Sequence, residues 1–91
     1  MQENFMEIGE IIRNYRTKAD LTQQELAKHL GYKIPQFISL IENGHSKVPL
    51  NIIAELVSIL KIPENVILES LVSAYKREAQ RHLSKKVKKR A

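Results

Sequence analysis

An all-α fold is predicted from three features of the sequence. Apolar residues recur at spacings of three and four along most of the chain, the repeat that gathers them on one face of a helix. Thr22 stands three residues before Glu25 at the head of an apolar run, the spacing of a capping box. Gly31, Pro35, Gly44, Pro49 and Pro63 fall between the apolar stripes, where helices are expected to end or begin.

Leu21 to Gly44, LTQQELAKHLGYKIPQFISLIENG, organises the rest. Its first helix spans roughly 22–30, with Leu26, Ala27 and Leu30 facing inward, and Leu21 and Leu26 have the spacing of a hydrophobic staple. Gly31 supplies the left-handed exit that costs glycine little. A second helix begins near Ile34 or Pro35, because proline suits a first turn, and stops at Asn43-Gly44. Ile34, Ile38 and Ile41 make its core stripe. Two short helices across a tight turn are a helix-turn-helix, the frame of a DNA reader.

The flanking segments complete the core. Phe5, Ile8, Ile11, Ile12 and Tyr15 predict an amphipathic first helix with Asn4 as its N-cap and Glu7 in its first turn. Leu50 to Leu60 is apolar on so wide a face that burial on more than one side is expected. Pro63 opens a last helix whose stripe is Val66, Ile67, Leu71, Ala74 and Tyr75, with Leu68 and Val72 beside it. That is more apolar surface than a small core covers. The stripe is expected to form a symmetric dimer contact, the alternative being an enlarged monomer core.

Composition narrows the function classes. With 91 residues, one domain and an appendage are expected: a DNA-binding domain over 1–75 and a basic extension over 76–91, helical or disordered. The formal charge of +5 is unevenly spread. Residues 1–75 hold seven Lys/Arg and nine Asp/Glu, a net of −2, whereas 76–91 hold eight Lys/Arg and one Glu, a net of +7. Any polyanion contact must use a few gathered cations or the tail. The chain has no cysteine, so disulfides and thiolate metal sites are excluded. His29, His45 and His82 lack metal-ligand spacing, and no metal or cofactor is expected. No apolar run approaches the roughly 20 residues of a membrane span. A soluble protein in a cytoplasmic setting is expected, without a membrane partner.

Chemistry-bearing residues gather around the two-helix unit. Gln36 and Ser39 fall off the apolar stripe and can hydrogen-bond base edges, glutamine pairing in bidentate fashion with adenine. Leu40 is a large aliphatic side chain on a face that should be polar, suited to a thymine methyl or to a neighbouring helix. Phe37 lies at the edge of the stripe, between core and groove. Gln23 and Gln24 open a helix whose free N–H groups favour an anion. Arg13, Arg16 and Lys18 form either a solvated helix end or a phosphate contact. Asn43, His45, Ser46 and Lys47 offer donors in a compact loop, a second phosphate clamp.

LTQQELAKHLGY with ISLIENG, followed by a loop, VPL and a leucine-rich helix, resembles the Cro/C1-type (Xre) helix-turn-helix family over roughly residues 6–71. The resemblance implies a five-helix bundle of the lambda-repressor kind, dimeric binding to a pseudo-palindromic operator, and repression or autoregulation of transcription. It also implies a phosphate at the Gln23 position, bases at Gln36, Ser39 and Leu40, and a backbone grip by the 43–47 loop. This chain is one residue longer between Gly31 and Ile41 than the family pattern, which carries Lys33 to the groove edge as a further base contact. Pro35, Phe37 and Leu40 replace polar residues of the recognition helix, pointing to readout by apolar contact and DNA shape.

Two other classes compete with this reading. An antitoxin-type interaction protein would use the last helix or the basic tail to hold a protein partner, with DNA binding as secondary autoregulation. An enzyme would need a nucleophile–base pair, paired carboxylates in a pocket or a phosphate-cradling glycine loop, and the sequence presents none.

Overall fold

Five helices follow from these stripes: α1 (Met6–Lys18), α2 (Gln23–His29), α3 (Gln36–Glu42), α4 (Leu50–Leu60) and α5 (Glu64–Arg90). The structure, a computed structural model, describes residues 5–45 and 47–90, the side chains of 86–90 excepted. All regular structure among the described residues is helical. Asn4, the expected cap of α1, lies outside them. The helix opens at Phe5 without a side-chain cap.

The capping box of α2 is complete. The Glu25 N–H donates to Thr22 Oγ1 at 3.0 Å and the Thr22 N–H donates to Glu25 Oε1 at 2.8 Å. The bond from the Thr22 N–H, with the Thr22 hydroxyl beside it, holds the Glu25 carboxyl below its ordinary range. Gly31 and Gly44 exit α2 and α3 at φ of +87° and +73°, as the left-handed exits require. Lys61 ends α4 in the same conformation although it carries a side chain.

The core gathers Phe5, Ile8 and Ile12 from the first helix, Leu26 and Ala27 from α2, Ile38 and Ile41 from α3, and Ile52, Ile53, Leu56 and Leu60 from α4. Helices α1 and α3 meet at Gly9. A methyl group there would lie 2.4 Å from the Ile41 carbonyl oxygen and 2.7 Å from that of Glu42, so only glycine fits.

Three expectations need correction. Ile34 is 59% exposed rather than core, because α3 starts at Gln36 and Ile34 sits in the preceding bend, outside the helical register. In α4, burial covers one broad face only, leaving Leu50 68% exposed and Ala54 exposed. The stripe expected to pair two copies is laid mostly on the chain's own core. Ile67 and Ala74 are buried, Val66 and Leu71 are half-buried, and the Tyr75 ring stands edge-on to buried Phe5 with centroids 5.4 Å apart. Ser70 Oγ donates to Glu7 Oε1 at 2.7 Å, fastening the same helix to α1. Among the described residues, the large apolar side chains that α5 leaves outward are Leu68, Val72, Tyr75 and Leu83, 52%, 65%, 40% and 64% exposed. The helix then runs unbroken past residue 75.

Candidate nucleic-acid interface

A buried carboxylate fixes the angle between the two helices of the motif. Glu42, in the last turn of α3, is 2% exposed. Arg16 grips it in bidentate fashion with one edge of its guanidinium, Nε donating to Oε2 at 2.6 Å and Nη2 to Oε1 at 3.0 Å. Gln23 Nε2 donates to Oε1 at 3.0 Å, and Arg13 Nε reaches Oε1 at 3.4 Å. Arg16 Nη1 also donates to the Leu21 carbonyl at 2.8 Å, closing the turn ahead of α2. One carboxylate thus ties α1, the start of α2 and the end of α3 together. Burial alone would push the Glu42 carboxyl up. The hydrogen bonds from Arg16 and Gln23, with the charge of Arg16, outweigh it and leave the group below its ordinary range. The Glu42 bond correspondingly raises Arg16.

This arrangement relocates part of the expected phosphate contact. Arg16 is turned inward onto Glu42 and Leu21, and its side chain is only 12% exposed. Gln23 gives one amide N–H to the same carboxylate. Gln24 donates from Nε2 to the Lys33 carbonyl at 3.0 Å, bracing the turn between α2 and α3. In the loop after α3, the Asn43 amide oxygen accepts from Arg13 Nη2 at 3.2 Å, and its Nδ2 donates to Ser39 Oγ at 3.4 Å. His45 is exposed, its backbone N–H donating to the Leu40 carbonyl at 2.9 Å. Lys47 Nζ lies 3.2 Å from Glu78 Oε2 on α5. Ser46 falls outside the described residues.

The other side of α3 faces outward. Gln36 and Leu40 are exposed, while Ser39 and Phe37 are half-buried. Lys33, Ile34 and Tyr32 border them on the exposed turn, and the Tyr32 and Phe37 rings pack at 5.0 Å. The face therefore pairs one amide and one hydroxyl with a broad apolar margin, a surface that can hydrogen-bond a base edge and pack on a thymine methyl.

Sequence reasoning missed Glu42 as the hub and Arg13 as a partner to it. A signal was present: an acidic residue in the last turn of a helix opposes the macrodipole, so it needs cationic partners nearby. Arg13 and Arg16, three apart on α1, are those partners.

A capped two-helix corner locked from behind, with one helix presenting its outer face, defines a helix-turn-helix DNA-binding domain. A family profile described as helix-turn-helix matches residues 12–67. The chain belongs to the Cro/C1-type helix-turn-helix family and is a DNA-binding protein of the transcription-regulator kind. Neither the curated proteins nor the solved structures supplied a match to it. No described helix is long and apolar enough to cross a membrane, and no described group of three or more His, Cys, Asp or Glu is placed to hold a metal ion.

Proposed function

We propose that the chain is a sequence-specific transcriptional regulator, a repressor or autoregulator, that reads a pseudo-palindromic operator as a homodimer in the cytoplasm. The observation that carries this reading is the outward face of α3, where Gln36 and Leu40 are exposed while Ile38 and Ile41 anchor the reverse side. In this reading Gln36, Ser39, Leu40, Lys33 and the edge of Phe37 meet base edges in the major groove. Gln23, Gln24, Asn43, His45, Ser46 and Lys47 hold phosphates on either side and set the register. Arg16 acts through Glu42, positioning α2 against α3 rather than touching the duplex.

Selection of bound duplexes from a random pool tests the reading. A consensus with two-fold symmetry, its half-sites about one duplex turn (roughly 34 Å) apart, is the expected result. Gln36→Ala should then cost about 1–3 kcal/mol on that consensus and almost nothing on unrelated DNA. A pool that yields no preferred sequence, or a Gln36→Ala loss equal on both duplexes, removes α3 from the base-reading role.

A further inference from the structure

The domain that reads DNA is short of positive charge. Its first 75 residues sum to −2, and two of its cations, Arg13 and Arg16, are engaged with buried Glu42. A protein binds duplex DNA tightly largely by displacing counterions with Lys and Arg. The missing cations stand on α5. Beyond Glu78 the chain holds Arg81, Lys85, Lys86, Lys88, Lys89 and Arg90 and no Asp or Glu. The helix continues through this segment to Arg90, and Arg77, Arg81 and Lys85 recur at the four-residue spacing of a single helical face.

Glu78 fixes where that segment leaves the body. It is a buried acid on α5, and it pairs with Lys47 at 3.2 Å and with Arg81 one turn on. Lys47 belongs to the loop that follows α3, so the basic helix starts beside the loop at the end of the recognition helix. From Glu78 to Arg90 a helix extends about 18 Å, the length of roughly five base pairs.

We propose that residues 77–90 form a phosphate-binding arm that engages the duplex backbone outside the half-site read by α3, with the Lys47–Glu78 pair orienting it. This rests on the DNA-reading function proposed above. The arm supplies affinity and lengthens the footprint, while α3 supplies sequence preference. Glu78 holds the start of the arm beside the loop, so the arm continues along the backbone from the phosphates that the loop holds.

The test compares the full chain with a variant carrying Lys85→Gln, Lys86→Gln, Lys88→Gln, Lys89→Gln and Arg90→Gln. The probes are a duplex ending at the selected consensus, the same duplex extended by about ten base pairs (roughly one turn) on each side, and an unrelated duplex. The full chain should gain about tenfold in affinity on the extended duplex and protect backbone sugars beyond the consensus from hydroxyl radicals. The variant should lose both effects and keep its preference for the consensus over unrelated DNA. Every phosphate that the arm no longer neutralises lowers the salt slope by about 0.9. With four phosphates released in this way, the variant's affinity becomes less sensitive by about a hundredfold between roughly 50 and 200 mM salt. Unchanged salt slope and unchanged length dependence overturn the arm, and loss of a stoichiometric acidic protein from the purified variant then assigns the segment to a protein partner. If no consensus emerges but the salt slope still falls in the variant, the base-reading proposal fails and the arm stands.

Discussion

Glu42 shows how a single side chain can decide the geometry of a reading surface. Its carboxylate is buried and holds Arg16, Gln23 and Arg13 together. Breaking a buried pair leaves an uncompensated charge behind, here the guanidinium of Arg16. Glu42→Gln should therefore cost about 3 kcal/mol at neutral pH, a large share of the roughly 5–15 kcal/mol of a typical domain. Denaturant titration measures it directly. The pH dependence has a definite sign. The native carboxyl titrates below its unfolded value, so the folded state binds fewer protons and is stabilised as pH rises. That contribution is complete above the unfolded pKa of about 4.3 and is lost as pH falls through the lower native one. The gap between wild type and Glu42→Gln should accordingly narrow in acid. A gap that stays constant down to pH of about 2 would mean that the charge of Glu42 is not what holds the corner.

Helices were legible in the sequence where local chemistry decides them, and misplaced where packing does. Thr22, Glu25, Gly31 and Gly44 are local signals, and each does in the structure what its chemistry requires. Ile34 misled because periodicity extrapolated from Ile38 and Ile41 takes no account of where the helix begins; Pro35 takes the cap position and the register starts after it. The width of apolar surface on α4 and α5 was visible, but not which part of it the chain covers with itself, since that depends on how helices distant in sequence cross. Gly9 belongs to the same class. Nothing local requires a glycine in the second turn of α1, and helix propensity favours alanine there by about 1 kcal/mol. Packing reverses the preference, because the added methyl would meet backbone oxygens of α3 that no rotamer change can move aside. Overpacking of this kind costs about 1–3 kcal/mol. Gly9→Ala is expected to destabilise the domain by about 1 kcal/mol net, a fall in melting temperature of roughly 4–8 °C. A rise in melting temperature would show that α1 and α3 do not approach as closely as the structure has them.

On the scale of the whole molecule, exposed apolar side chains gather in two places: beside the reading face, at Tyr32, Ile34 and Leu40, and along α4 and α5. A groove of about 530 Å³ runs between α4 and α5, with Leu50, Ala54, Leu68 and Leu71 along it, and Val72 lies one turn beyond Leu68. The family was legible from the 21–44 stretch and the −2/+7 division of charge from simple counting. Ile67 and Ala74, two of the five residues expected at the interface, are buried in the core of the single chain. Of the large apolar side chains that stay exposed on α4 and α5 (Leu50, Leu68, Val72, Tyr75 and Leu83), Leu50 and Leu68 line the groove and Val72 continues it, which makes that patch the surface for the dimer proposed above. A two-fold contact repeats the same patch on both copies, so each substitution acts twice. Leu68→Glu with Val72→Glu places four carboxylates at such a contact, and neither residue belongs to the core, so the fold should persist with unchanged helix content. Sedimentation should then report the mass of one 10.5 kDa chain for the variant and of two for the wild type. With one recognition helix per particle the variant should bind a single half-site as well as the full operator, without the gain that two tethered reading heads confer. A variant that still sediments as a dimer would show that the copies meet elsewhere. A monomeric wild type with full operator affinity would show that two-fold pairing is not how this chain reads DNA.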